Sequence, residues 1–528
     1  MNHNWKIVRK VLFWLVLVLL GASVSRIFYG LRNRNYEMGL RHWAKINLIL
    51  NQIDNNYVDS IDKRQFSEKL IPLIMNELDP HSVYMPPQIL QEAEDELQGH
   101  FDGIGITFNV PNDTAIVISI IASGPSERAG LMTGDRIIKI QGNTVAGVGI
   151  PQDSLVKLMR GPSGTKVNLD ILRDGEIVPF TITRDKIPVK SVDVAYMIND
   201  TTGYVKLSKF TRTSYAEFMS VVPGMLDKGM KKLLFDLRDN AGGYLDQALL
   251  LSNEFLAKDE MIVYMEGQHR PRQEFTADGS GSCRGVNLYV LINENSASSS
   301  EILAGAIQDN DRGTVIGRRS FGKGLVQEPV YFSDKSGIRL TVARYYTPTG
   351  RCIQRPYEKG KEDYLFDIYE RYQHGEMMDV DSIPHNDSLK FVTKKGKVVY
   401  GGGGIIPDMF VPIDTVGVTD LLVKINKQSL QMKYALEFSD RFRGELRGIK
   451  DLKSLDMLFR RVNLENDFKT FIQSKGIAIP QKEWEISGDI IMTQVRAISG
   501  RYSSLDDNAF YPIYSEIDNV IQKAVMAE

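Results

Sequence analysis

The apolar run from Val286 to Ile292 passes straight into a turn of small hydroxyl residues, Ser296-Ala297-Ser298-Ser299-Ser300, and that junction limits what the chain can become more than any other stretch. A short apolar run bounded by turn residues reads as a strand buried on both faces, the kind found in parallel sheets. From Glu301 to Asp309 the apolar side chains fall at Ile302, Leu303, Ala306 and Ile307, the spacing of one helix face. Strand, tight turn and helix predict an α/β unit with a serine at the positive end of a helix dipole, where a developing oxyanion is stabilised. The stretch points to acyl chemistry.

A serine hydroxyl attacks only when something takes its proton. None of the seven histidines lies in this stretch, and between about 190 and 350 only His269 occurs, in a polar, Arg-flanked run. A Ser-His-Asp triad is therefore hard to assemble. Lys323 is the better base: it stands between Gly322 and Gly324, with Phe321 and Leu325 beyond. Its amine must lose several pKa units to work near neutral pH, which apolar burial can supply. Gln327 is placed to hold the neutral amine by a hydrogen bond.

Ser296-Ala297-Ser298-Ser299-Ser300-Glu301, followed by Phe321-Gly322-Lys323-Gly324 and Gln327, resembles the signature of the carboxyl-terminal processing (tail-specific) serine peptidases. The resemblance implies Ser298 as nucleophile, the lysine 25 positions later (Lys323) as base, and the glutamine four beyond it (Gln327) as the residue orienting the base. Ser299 departs from the alanine usual in that family, but its backbone N–H remains available. Upstream, Lys231 to Arg238 is another strand-like run. It leads into Asn240-Ala241-Gly242-Gly243, a turn opening a helix that carries Leu245, Leu249 and Leu250. Here the resemblance implies that an N–H of the glycine pair, Gly242 in preference to Gly243, joins that of Ser299 in an oxyanion hole. A phosphate-binding turn is the rival reading, yet neither a GxGxxG pattern nor a Walker lysine follows. Ser320-Phe321-Gly322-Lys323 and Lys335-Ser336-Gly337 mimic motifs of penicillin-recognising enzymes, but only 11 residues separate them where those enzymes need separate parts of a large domain.

The length of 528 residues suggests about three or four domains. With 43% apolar and 25% charged residues and a net charge of −2, the chain is an ordinary folded protein, with no basic, aromatic-rich run to suggest nucleic acid as a partner. Two cysteines, Cys283 and Cys352, could pair but are too few for a disulfide scaffold or a Cys-rich zinc site. At the amino terminus Lys6, Arg9 and Lys10 precede an uncharged run from Val11 to Ser25. Residues 1–30 thus read as a signal peptide or a membrane anchor, with cleavage and retention both open. Residues 36–96 read as a helical region, with Ile46, Leu50, Ile53 and Tyr57 on one stripe and a second apolar set from Phe66 through Leu78. His81, in Leu78-Asp79-Pro80-His81-Ser82, reads as structural.

From Leu97 to Lys186 the texture changes to glycine turns and β-branched alternation. The run Ala129-Gly130-Leu131-Met132-Thr133-Gly134-Asp135-Arg136-Ile137-Ile138 is similar to the hallmark of PDZ domains. Such a domain adds a chain terminus as a strand to a sheet edge and holds its carboxylate with loop N–H groups. The resemblance assigns those groups to Gly103, Ile104, Gly105 and Ile106, and the wall of the groove to a helix over Gln152 to Met159; a lid over the active site is a second role. Residues 187–413 form the peptidase core. Thr347-Pro348-Thr349-Gly350-Arg351 is structural or substrate-lining, 358–400 is a polar inserted excursion, and Gly401 to Pro412 returns to the core. Residues 414–528 are expected to be a helical domain for dimer contact or for shielding the active site.

The resemblance thus implies a multidomain α/β chain: N-terminal helical region, PDZ domain, crotonase-like peptidase core and C-terminal helical domain. It implies an exported, periplasmic serine endopeptidase that grips proteins by their free carboxyl ends and that retention of the amino-terminal segment would anchor to the cytoplasmic membrane. A homodimer is a possible state. No cofactor or metal is expected, because base and electrophile are protein groups. The rival class is a catalytically inert PDZ adaptor.

Overall fold

The computed structural model describes residues 43–110 and 113–527. The expected signal peptide or anchor lies outside them. The chain divides into two compact units, Met1–Ile74 and Met75–Glu528. In the first, residues 43–56 are helical, and the expected stripe is largely exposed: Ile46 and Leu50 face solvent, as do Trp43, Leu48 and Ile49. Among the described residues no helix is long and apolar enough to cross a membrane.

The second unit carries a six-strand antiparallel sheet in the order Ile106–Asn109, Ala115–Ile120, Arg136–Ile140, Lys166–Arg173, Glu176–Thr183, with the short strand Asn143–Thr144 paired beside Arg136–Ile140. Strict alternation builds it: Val167, Leu169 and Ile171 point inward, onto Val117, Ile137, Ile140 and Ile182. Its entry and exit run side by side, His100–Gly103 pairing with Asp185–Pro188. This paired neck makes residues 100–188 one module set into the larger unit.

The core that follows is a six-strand sheet in the order Val192–Met197, Thr202–Leu207, Lys232–Asp236, Asn287–Ile292, Thr314–Gly317, Met409–Phe410, parallel from the second strand onward. Parallel strands joined by crossover helices are covered on both faces, which is why Leu233, Leu234, Phe235 and Leu288 to Ile292 are apolar without alternation. One face packs on helices Ser214–Asp227, Leu245–Asn253 and Ser299–Asp309. The other is closed by the C-terminal helix Asn519–Met526, whose Val520, Ile521 and Ala524 lie on Tyr204, Leu234, Tyr289 and Leu291. The expected single apolar face of the helix after Val286–Ile292 is corrected here: Ser299–Asp309 is buried on every side. Its polar residues are tied off internally and do not face water.

A second, antiparallel sheet stands beside the core. Its strand Gly337–Tyr346 pairs with Leu325–Tyr331, Val83–Met85 and Met261–Gly267. The segment 358–400 packs into the larger unit: its helix Lys361–Gln373 buries Tyr364 and Arg371, and Glu376 and Met377 follow into the interior. Little periodicity showed in sequence because three of its seven buried residues, Arg371, Glu376 and Thr393, are polar. Helices from Asp420 onward enclose their own core, including Tyr434, Phe438, Phe468 and Ile491. That core also takes Ile116 of the N-terminal sheet module, beside an Arg136 to Asp440 ion pair at 2.5 Å.

Candidate active site

Strand Asn287–Ile292 ends in the hydroxyl-rich turn, and each hydroxyl but one is spent on holding it. Ser296 Oγ donates to the Leu237 carbonyl at 2.8 Å, Ser299 Oγ to Gly243 at 2.9 Å, and Ser300 Oγ to Asn240 at 2.8 Å. Ser298 Oγ donates to no acceptor among the described residues. Its backbone sits at φ 56° and ψ −113°, a region that costs an L-residue about 1–3 kcal/mol and persists only where the surroundings impose it.

What imposes it is Glu301, a fully buried carboxylate. Oε2 accepts the N–H of Ser298 at 2.9 Å and that of Lys323 at 2.8 Å. Oε1 accepts the N–H of Gly322 at 2.7 Å and the hydroxyl of Ser320 at 2.5 Å. One oxygen therefore binds the backbones of both the serine and the lysine. Burial pushes the Glu301 carboxyl up, and these four donors oppose the push. Ser320 is thereby accounted for: its hydroxyl bonds Glu301 and also accepts the Ile405 N–H at 2.6 Å, so it serves no Ser-x-x-Lys chemistry.

Lys323 is half-buried, and its amine falls from 10.5 to about 8, first through burial, then through the nearby charge of Arg339, with Glu301 and Asp79 pulling the other way. At about 8 roughly a tenth of the amine is neutral at pH 7, a useful fraction for a general base. Lys323 Nζ donates to Gln327 Oε1 at 3.1 Å, and Gln327 Nε2 donates to the His81 carbonyl at 2.6 Å. No hydrogen bond joins the Ser298 hydroxyl to the Lys323 amine among the described residues, and catalytic hydrogen bonds of this kind tighten only when substrate aligns the pair. His81 thus stands behind the lysine through its backbone, in a turn held by Asp79, which accepts the N–H groups of His81 and Ser82 at 2.9 Å each.

Gly242 reaches the serine directly. At φ +97°, a Cβ on it would lie 2.8 Å from Ser298 Cβ and 2.9 Å from Ser299 N. Its N–H, however, donates to Asn240 Oδ1 at 2.9 Å, whereas the N–H groups of Gly243 and Ser299 find no acceptor among the described residues. Ser299 is the first residue of its helix, whose N–H has no partner one turn back. Of the three N–H groups, those of Ser299 and Gly243 are thus free among the described residues, while that of Gly242, the glycine packed against Ser298, is taken by Asn240. Asn240, unremarked in sequence, joins the two turns: its carbonyl accepts the Ala297 N–H at 3.0 Å and the Ser300 hydroxyl.

Two family models match the chain, Peptidase family S41 over residues 201–361 and PDZ domain over 103–183. The chain is 35% identical over 353 residues to the carboxy-terminal-processing protease of Bartonella bacilliformis, covering 66% of this chain and 80% of that one. This chain belongs to peptidase family S41. The S41 peptidase is also 31% identical over 429 residues to a probable CtpA-like serine protease of Staphylococcus aureus, 79% of this chain and 81% of that one. A solved photosystem II D1 C-terminal processing protease aligns at 24% identity and a TM-score of 0.39, over 72% of this chain and 90% of its own. The enzyme is a serine-type peptidase with a PDZ domain.

In the PDZ domain, Gly103 ends one strand and Ile106 begins the edge strand Ile106–Asn109, whose outer side carries no partner among the described strands. Between them the carbonyls of Ile104 and Gly105 are taken by Ser126 and Ile121, at 3.1 and 3.0 Å, while their N–H groups have no acceptor among the described residues. Helix Gln152–Met159 lies over the same apolar cluster through Leu155 and Met159.

Other sequence candidates fall elsewhere. His269 is exposed on a hairpin turn. Cys283 and Cys352 are free thiols. Arg351 is fully buried and pairs with Asp309 at 2.6 Å, so Thr347 to Arg351 anchors the far end of the Ser298 helix.

Proposed function

We propose that this S41 peptidase is an exported endopeptidase that takes proteins by a free carboxyl terminus and cuts within them by a Ser298–Lys323 mechanism. Ser298 Oγ attacks the scissile carbonyl carbon while neutral Lys323 takes its proton. The resulting oxyanion is held by the N–H of Ser299 and by one from the Gly242–Gly243 pair, for which Gly243 has the free donor. Lys323 then returns the proton to the departing amine, leaving an acyl-serine, and repeats the cycle with water. Gln327 orients the amine so that its lone pair faces away from the amide.

The observation that carries the reading is the Glu301 carboxylate, which ties the strained serine and the half-buried lysine to one oxygen. For the terminus, support comes from the open edge at Ile106–Asn109 and the unspent N–H groups of Ile104 and Gly105, with Gly103 and Ile106 flanking them. An arriving strand pairs with the edge, and its carboxylate meets those N–H groups. The basic, then apolar, amino terminus supports export, and with retention it supports a membrane anchor.

The test uses an unfolded substrate with an apolar carboxyl end, free or amidated. The wild type should cleave the free form faster, and Ser298→Ala and Lys323→Ala should not cleave at all. Equal rates on both forms would leave the PDZ domain only a lid. Full turnover by either variant would remove the mechanism, and a wild type that binds the terminus without cutting would make the chain an adaptor.

A further inference from the structure

Lys323 works as a base only if its lone pair is free, so the orientation of Gln327 matters. The amide has two ends. With Oε1 toward the lysine it accepts one amine hydrogen and leaves the lone pair for Ser298. With Nε2 toward the lysine it would donate to that lone pair and consume the base. The His81 carbonyl chooses between them, because at 2.6 Å from Gln327 Nε2 it accepts a donor and would repel an oxygen.

Segment 358–400 in turn fixes His81. Tyr364, on helix Lys361–Gln373 and 3% exposed, has its hydroxyl 2.8 Å from His81 Nε2. Gln354 Nε2 donates to the same hydroxyl at 3.3 Å, which leaves the tyrosine's proton free for His81 Nε2, the acceptor in the Nδ1–H tautomer of a neutral ring. The imidazole is held at about 4 by burial and by the lysine's charge, against Asp79, with Arg355 and Lys361 adding to the lowering. Tyr364 cannot turn away: its ring lies under the Arg355 guanidinium at 3.9 Å, and Arg355 Nη2 donates to its carbonyl at 2.8 Å. Phe321, two residues before the base, completes the cage with its ring 6.0 Å from that of Tyr364 and 6.4 Å from that of His81.

We propose that Tyr364 is a positioning residue for Lys323, acting through His81 and Gln327, and that segment 358–400 is a working part of the active site. The S41 match ends at residue 361, so this contact comes from outside the matched region. The inference rests on Lys323 being the base.

Tyr364→Phe tests it, keeping the ring and the arginine contact and removing only the hydroxyl. We expect kcat to fall about tenfold with KM unchanged, the scale of a mispositioned catalytic group. In a Gln327→Met background the same substitution should change kcat less than twofold, because its route to the lysine is already cut. A tenfold loss in both backgrounds, or a loss that appears in KM, would overturn the proposal, as would wild-type kcat in Tyr364→Phe. If Tyr364→Phe melts more than a few degrees early, His81→Phe keeps a ring and the carbonyl, loses Nε2, and enters the same cycle with the same expectations. Lys323→Ala, run alongside, separates the two readings: turnover there would refute the lysine as base, whereas an inactive Lys323→Ala beside an additive Tyr364→Phe would refute only the relay.

Discussion

Replacing Lys323 by methionine should abolish turnover and stabilise the protein. The amine falls from 10.5 to about 8, first because burial disfavours its charge. Each unit is worth about 1.36 kcal/mol, so below pH 8 the folded state bears a penalty of about 3 kcal/mol for holding this group protonated. Methionine has similar length, needs no solvation and keeps the apolar contacts. It loses the hydrogen bond to Gln327, worth about 1 kcal/mol, which leaves a net gain of about 2 kcal/mol at pH 7. The pH dependence gives the sign. Between 8 and 10.5 the unfolded lysine binds more protons than the folded one, so wild-type stability from this group rises with pH across that window. The penalty is fully present below it and gone above it. The advantage of Lys323→Met should therefore shrink from pH 8 upward, reach zero between about 9.5 and 10, and give way to a deficit of about 1 kcal/mol above 10.5, where only the lost hydrogen bond remains. Urea unfolding of both proteins at pH 7, 8, 9 and 10, followed by tryptophan fluorescence, measures the difference, in which groups common to both proteins cancel. A variant less stable than wild type at pH 7, or an advantage flat from pH 7 to 10, would refute the claim that a desolvated amine sits at this position.

Ser298→Gly should be more stable than Ser298→Ala by about 1 kcal/mol, since glycine tolerates φ 56° and alanine keeps the strain; paired thermal melts of the two inactive variants decide it. Glu301→Gln puts an amide with two donors among four donors, and kcat/KM should drop by about 10² or more with a stability loss of about 2 kcal/mol, read by steady-state kinetics and urea titration. Arg339→Gln removes the second cause of the lysine's lowered pKa, so the acid limb of the kcat/KM profile should move to higher pH. A limb that stays put or moves down would exclude Arg339 from tuning the base.

The parts of the site that share a short stretch were legible in the chain. The serine and its helix are contiguous, Gln327 lies four residues after Lys323, and the parallel strands reveal themselves as unbroken apolar runs. What escaped is what distance in sequence hides. Nothing local connects His81 with Gln327, 246 residues later, or Tyr364 with His81, yet each pair is hydrogen-bonded. The helix Ser299–Asp309 looked one-sided because its buried Gln308 and Asp309 are polar; they are satisfied by Arg351, a residue read without a partner. Segment 358–400 failed for the same reason. It is anchored by Arg371, which donates to the carbonyls of Arg319 and Ser320 and to Glu376, and hydropathy periodicity does not register polar anchors. Which N–H of the glycine pair is free depends on one side chain, Asn240, which a backbone argument does not contain.

These polar anchors explain how a carboxylate can sit beside an amine whose pKa is lowered to about 8. An uncompensated buried Glu301 would hold Lys323 protonated and defeat the mechanism, and its attraction does raise the amine. Its two oxygens, however, already answer four donors, three of them backbone N–H groups fixed by the turn and loop they belong to. The charge is spread over those dipoles, and burial together with Arg339 outweighs what remains. The same four bonds fix Ser298 in its strained conformation and set the register of the loop carrying Lys323. The bonds that tie the backbones of Ser298 and Lys323 to one carboxylate are thus the ones that let the amine give up its proton near pH 8, and a change that loosens one should disturb the other.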